Sequence, residues 1–297
     1  MRRKYVAKIA QAEYEATLVE SREGIPLNKE DFYANDKIIS NAVKNGQHIY
    51  HAIVANKLSV SKSTVYRHIQ KGYYSISKID LPRAVKFKQR KSKKEQYVPK
   101  GLKVGRSYED FLSFITENPT CCYLEMDTVI GRQGGKVIMT FQFVNVDFMF
   151  GILLDNKTVA EASEKICILK SKLEENGLHF GNIFPVLLTD NGGEFSDVFA
   201  FENDSRGAKE TSVFFCDPNC SWQKPHVENN HTLFRNIVPK GNSFDDFTQD
   251  TVNMIFSHVN GVKRKQFNGK SAYEMFCFTY SPELQLFWVF LKSLQPR

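Results

Sequence analysis

From Thr120 onward the apolar residues come in short, nearly unbroken runs. CCYLEMDTVIG, KVIMTFQFV and FMFGILLD read as three strands joined by short turns, with GRQGG supplying glycines for a hairpin. Residues 158–176 change to helical spacing and put Val159, Ala162, Ile166, Leu169 and Leu173 on one face. FPVLLTD then reads as a fourth strand and VFFC as a fifth. Three hairpin-joined strands followed by alternating helix and strand predict an α/β fold, a mixed sheet flanked by helices.

The front of the chain is patterned differently. Residues 1–37 are polar and weakly helical around Tyr5, Ile9 and Tyr14, with breaks at Gly24 and Pro26. Ile38, Ile39, Ala42 and Val43 mark a helix that ends at Gly46, and a second short helix covers His48 to Asn56. After KLSVS, either Ser61 or Ser63 can cap a third helix, STVYRHIQKG, which stops at Gly72. Two short helices and a tight turn make a helix-turn-helix pattern, whose last helix would show Lys62, Ser63, Thr64 and Arg67. These side chains suit phosphates and base edges, although a small bundle with a solvated basic face has the same pattern.

Charge sharpens this division. Residues 1–110 carry +12 and the remainder −5, within a total of +7. Residues 82–106 hold ten Lys and Arg against Glu95 alone, a run that cannot build a core and suits a polyanion. The front half is expected to hold DNA, and the acidic half to bind cations and do chemistry. No run approaches the 18 apolar residues of a membrane span, and the basic start lacks the apolar stretch of a secretory signal. Cys216 and Cys220, in CDPNC, lack two further ligands at zinc spacing, so the six cysteines read as reduced thiols.

Three acids carry the candidate chemistry. Asp127 lies in the first strand, Asp190 ends the fourth, and Glu228 opens a helical stretch, HVENNHTLFR. If the two strands are neighbours, both aspartates meet at one edge and a packed helix brings Glu228 to them. Carboxylates so placed can hold two Mg²⁺ ions for phosphodiester transfer. Each also has a plainer reading: a strand-end acid at Asp127, a turn at Asp190-Asn191-Gly192-Gly193, a helix-dipole partner at Glu228. Glu125 shares the strand face of Asp127, and Glu194 lies near Asp190, so either could take a place in the set.

TDNGGEFSD, FFCDPNCSWQKPHVENNHTLFRNIVPKGNSFDDFT and HVNGVKRKQFNGKSAYEMF, with DLPRAVKFKQRK, GRSYEDF and EMDTVIG upstream, resemble the DDE transposases of the insertion-sequence-thirty family. The likeness covers roughly residues 38–278. That family belongs to the retroviral integrase superfamily, with a ribonuclease H-like fold. The resemblance implies a helical region at 1–78, a basic linker at 79–115, a catalytic domain at 116–280 and an atypical tail at 281–297. It implies Asp127, Asp190 and Glu228 as catalytic, metal-binding residues, with two Mg²⁺ ions for which Mn²⁺ can substitute. Arg235, seven residues past Glu228, and Lys263, Arg264 and Lys265 are implied DNA contacts. The implied activity is metal-dependent cleavage and strand transfer of an insertion element by a homo-oligomer on double-stranded DNA, in the bacterial cytoplasm at the nucleoid. The family usually has another helix-turn-helix region before the one seen here, and the tail SPELQLFWVFLKSLQPR departs from its pattern. Both suggest a shortened product and keep open an alternative: a catalytically incompetent remnant that occupies DNA or modulates a full-length transposase.

Overall fold

The computed structural model describes residues 6–20, 25, 27–82, 84 and 98–280. Most of the basic run at 82–106 and the whole apolar tail at 281–297 lie outside the described residues. Helix α1 (Ala7–Glu20) exposes Ile9 and Tyr14 among its polar residues. Helix α2 (Lys29–Lys44) starts earlier than the apolar pattern suggests, because Asn28 caps it by accepting the Asp31 N–H. Helix α3 (Ile49–Ala55) and helix α4 (Lys62–Gln70) follow. Ser61, not Ser63, is the cap of α4, accepting the Thr64 N–H at 3.1 Å, and Gly72 ends the turn at φ +73°. Ile39, Val43, Ile49, Ile53, Val65 and Ile69 form the small core of this module. Asp36, buried on α2, ties down the chain beyond α4 by accepting from the Ser75 N–H at 2.9 Å and the Ser75 hydroxyl at 2.5 Å.

Helix α5 (Tyr108–Glu117), closed by a Ser107–Asp110 capping box, occupies sequence assigned to the basic linker. Its Phe111 packs against Val186, Leu188 and Phe214 of the sheet. Next come strands β1 (Leu124–Ile130), β2 (Val137–Phe143) and β3 (Phe148–Leu154), then α6 (Val159–Glu175) and α7 (Phe180–Ile183). Strand β4 (Val186–Thr189), α8 (Val198–Glu202) and β5 (Ser212–Phe215) complete the sheet. Helices α9 (Pro225–Ile237), α10 (Gln249–Gly261) and α11 (Ala272–Thr279) finish the described chain.

The strand order is β3-β2-β1-β4-β5; the first three are antiparallel, and β4 and β5 run parallel to β1 and β4. This is a mixed sheet, flanked by helices and preceded by a small helical module, as the apolar pattern predicts. Alternation along the strands divides the core. Leu124, Met126, Phe141, Phe150 and Leu187 face α6, whereas Val129, Ile138 and Met149 face α9 and α10. Helix α10 also closes the sheet edge. Asn260 accepts the Met149 N–H and donates to the Met149 carbonyl, and Gln249 does the same for the Leu153 N–H and the Gly151 carbonyl. Gly151 permits this approach: a Cβ there would lie 2.5 Å from the Phe256 ring.

Glu202, at the end of α8, joins three segments. It accepts the Val213 N–H at 3.0 Å and pairs with Arg106 at 2.7 Å and Lys209 at 3.3 Å. Burial opposes its charge, but Arg106, the Val213 N–H and Lys209 outweigh burial and hold the carboxyl below its usual range. A depressed carboxylate lends stability above its unfolded value, near 4.3, and loses it as pH falls through the folded value. Glu202→Gln is therefore expected to lower the melting temperature at pH 7 and to flatten its decline between about pH 5 and pH 3. Thermal melts across that window check this; parallel curves for the two proteins would refute it.

Candidate active site

Leu124 and Met126 point into the α6 layer, so Asp127 points to the opposite side of β1. Val186 and Leu188 of β4 face that same side, and Asp190 continues their alternation beyond the strand end. Strands β1 and β4 pair in parallel with Met126 opposite Thr189, which sets Asp127 and Asp190 side by side. Glu228 occupies the first turn of α9, which Pro225 opens. All three carboxylates line one cleft of about 300 Å³, together with Asn191, Cys216, Cys220 and Lys224.

The two aspartates differ in surroundings. Asp127 accepts the Thr128 N–H at 2.8 Å, with Lys224 Nζ 3.5 Å and His231 Nδ1 3.8 Å from its Oδ2. Burial pushes its pKa up, but Lys224, His231 and that N–H prevail and keep it below the usual range. Asp190 lies above the usual range: burial raises it, Asp127 and Glu194 add to this, and Lys224 opposes them. Its Oδ1 accepts the Gly192 N–H at 3.1 Å, an Asx turn. Lys224 is itself buried, donates to the Met126 carbonyl at 2.9 Å, and is held charged against burial by Asp127 and Asp190. Burial, helped by Lys224 and Arg235, pushes His231 down to about 4, so its imidazole is neutral at pH 7. Glu228, by contrast, is exposed at the cleft mouth.

The two competing acids are engaged elsewhere. Glu125 is fully buried and accepts the Val227 N–H at 2.7 Å, so it caps α9 from β1; burial raises its pKa to about 7. Glu194 accepts from the Thr128 hydroxyl at 2.7 Å and pairs with Lys157 at 3.3 Å. Its carboxylate lies against Gly192, where a Cβ would come within 2.6 Å of it. Asn191 fastens the turn by donating to the Cys216 carbonyl at 2.7 Å, while its own backbone carbonyl accepts the Val98 N–H.

Among the described residues no three His, Cys, Asp or Glu side chains group closely enough to hold a metal by themselves. The donor set still fits a hard divalent ion, which takes one or two carboxylates and completes its shell with water and phosphate oxygens. The cleft also demonstrates its preference for positive charge by drawing a buried ammonium, Lys224, to Asp127.

The expected DNA contacts fall into two groups. Lys62, Ser63 and Arg67 are exposed on α4, with Thr64 half-buried beside them and Tyr66 alongside. Lys265 is exposed too, but Lys263 pairs with Glu274 at 2.7 Å. Arg264 turns its guanidinium inward to Asp147 at 3.1 Å and donates to Asn230 at 2.8 Å. Arg235 donates to the Ile130 carbonyl at 2.7 Å and lies against the rings of Phe234 and Phe244. Arg264 serves buried partners, Asp147 and Asn230, and Arg235 serves a backbone carbonyl of β1; a sequence displays neither pairing.

No family model matches the chain. It is 28% identical over 225 residues to the putative integrase ORF3 of Spiroplasma virus SpV1-R8A2 B, covering 74% of this chain and 64% of that protein. It is 25% identical over 236 residues to the probable transposase for the insertion-like sequence element IS1161 of Streptococcus salivarius, covering 78% and 63%. Over 89 residues it is 32% identical to transposase InsI for the insertion sequence element IS30A of Escherichia coli K12, covering 30% and 22%. The chain is thus similar in sequence to proteins named as insertion-element transposases and as a viral integrase. It spans less than two thirds of the length of these relatives.

Two features of this site escaped sequence reasoning. Lys224 precedes a proline and a helix, a position that reads as a solvated charge; the signal for burial was the pair of acids it serves, which are remote in sequence. Asp147, in the β2–β3 turn at φ +51°, gathers His226 Nδ1 at 3.0 Å, Arg264 and Gln266, while its carbonyl accepts from Asn230. This network secures the start of α9, and with it Glu228.

Proposed function

We propose that this chain is a DDE-type DNA transposase, a metal-dependent polynucleotidyl transferase that cleaves and joins DNA strands of an insertion element. The observation that carries this reading is the convergence of Asp127, Asp190 and Glu228 on one cleft. When bound there, two Mg²⁺ or Mn²⁺ ions would neutralise phosphate charge and activate the attacking oxygen. Asp127, kept ionised, and Asp190 would hold the ions from the floor of the cleft. Glu228 would complete the set from the exposed side, where the DNA backbone enters. The exposed face of α4 would bind the duplex through Lys62, Ser63, Thr64 and Arg67, with Lys265 on the second domain. Bringing two element ends together requires more than one copy on DNA, so a homo-oligomer on double-stranded DNA is part of the proposal. No helix among the described residues is long and apolar enough to cross a membrane.

The test is a strand-transfer assay with a short duplex and Mg²⁺ or Mn²⁺. Joined product supports the transposase. Salt-sensitive gel shifts without nicking or joining would instead favour the alternative, a binding module that occupies DNA. Nicking without joining would indicate a nuclease.

Arg67→Ala measures the part played by α4. Loss of one phosphate contact is expected to weaken binding to all sequences and to reduce the slope of log K against log salt by about 1. An unchanged slope in gel shifts over a salt series would remove Arg67 from the DNA interface.

A further inference from the structure

Lys224 has no obvious place in the chemistry of the cleft, yet it stands at its centre. Its side chain is 5% exposed, and its ammonium lies 2.9 Å from the Met126 carbonyl oxygen and 3.5 Å from Asp127 Oδ2. Burying a lone ammonium is expensive, so this side chain needs the carboxylates around it. The same carboxylates favour a cation, because Asp127 and Asp190 stand side by side on a half-buried floor between β1 and β4. A divalent ion would bind the same oxygens at about 2.0–2.1 Å. The ammonium and the ion would then stand within a few ångströms of one another, where like charges repel strongly in a low-dielectric setting.

We propose that Lys224 is a tethered counter-ion of the metal site: its ammonium neutralises Asp127 and Asp190 in the metal-free protein and must withdraw when divalent ions bind. It thereby sets metal affinity as a positioning residue. The inference rests on the metal-dependent reading above and gives it a regulatory element. The flexible four-carbon stem of lysine allows withdrawal along the cleft wall. The metal-free cleft is stable because it supplies its own cation, and divalent ions load only by displacing it.

The test uses the full chain as wild type, Lys224→Met and Lys224→Gln, titrated with Mn²⁺ while free Mn²⁺ is read by electron paramagnetic resonance. Both variants are expected to bind Mn²⁺ at least tenfold more tightly than wild type. They should also melt at a lower temperature than wild type without metal and regain that loss when saturated with Mn²⁺. Folding is checked by circular dichroism, and a variant that folds only with Mn²⁺ present supports the proposal. Affinity that is unchanged or weaker in both folded variants overturns it while leaving the metal-dependent reading in place. Absence of Mn²⁺ binding in all three proteins overturns that reading and this proposal together.

Discussion

Asp190→Asn is expected to abolish strand transfer, by about 10³-fold or more, while gel shifts with duplex DNA stay close to wild type. The substitution is nearly isosteric. The introduced carboxamide would still offer a carbonyl oxygen to the Gly192 N–H, now 3.1 Å from Asp190 Oδ1, so the turn that carries it should persist. What disappears is a negative charge on the cleft floor, and with it a proposed ligand for a divalent ion. Stability should not fall. Burial, Asp127 and Glu194 all disfavour the ionised form of Asp190, so removing its charge should leave the melting temperature equal or higher. DNA binding is expected to survive because the exposed residues of α4 lie on a separate helical core. Strand joining at the wild-type rate by a folded Asp190→Asn protein would eliminate the proposed site.

Arg264→Ala is expected to cost about 3–5 kcal/mol of folding stability, because it removes one member of a buried ion pair and leaves the other uncompensated. Asp147 would keep His226 and Gln266 but lose its guanidinium partner, and the Asn230 side-chain carbonyl would lose the donor it has in Arg264. The consequence should reach the chemistry. His226 and Asn230 hold α9 to the β2–β3 turn, and α9 presents Glu228 to the cleft. Urea denaturation should show a lower midpoint with an unchanged slope, accompanied by reduced strand transfer. The Arg264→Ala/Asp147→Ala double variant should lose less than the sum of the two single losses, as expected of groups in direct contact. A loss below about 1 kcal/mol for Arg264→Ala would show that this loop is not coupled to the domain.

Much of this architecture was legible in the chain. All five strands formed where apolar runs placed them, and the three short helices of the front module formed near their caps and glycines. Such features are local: a period of two or 3.6, a serine cap or a positive-φ glycine acts within a few residues. Helix α5 was less legible because a basic stretch precedes it. Phe111 and Phe114 become intelligible only once Val186, Leu188 and Phe214 supply the surface they cover. The choice between Asp127 and Glu125 was beyond sequence reasoning for a related reason. Both lie on one face of β1, and the arrival of α9 decides that Glu125 is buried as a cap while Asp127 remains at the cleft.

Residue order by itself determined the strand and helix sequence and the contrast between a basic front and an acidic back, and it narrowed the candidate acids to a few. The tertiary structure decided which acids share the cleft and which cations turn inward. It set Lys224 beside Asp127, turned Arg264 to buried Asp147 and Arg235 to the Ile130 carbonyl, and left Lys62 and Arg67 facing solvent. The physical reason is that the cost of burying a charge depends on partners contributed by remote segments, and those partners exist only after the sheet and α9 have come together.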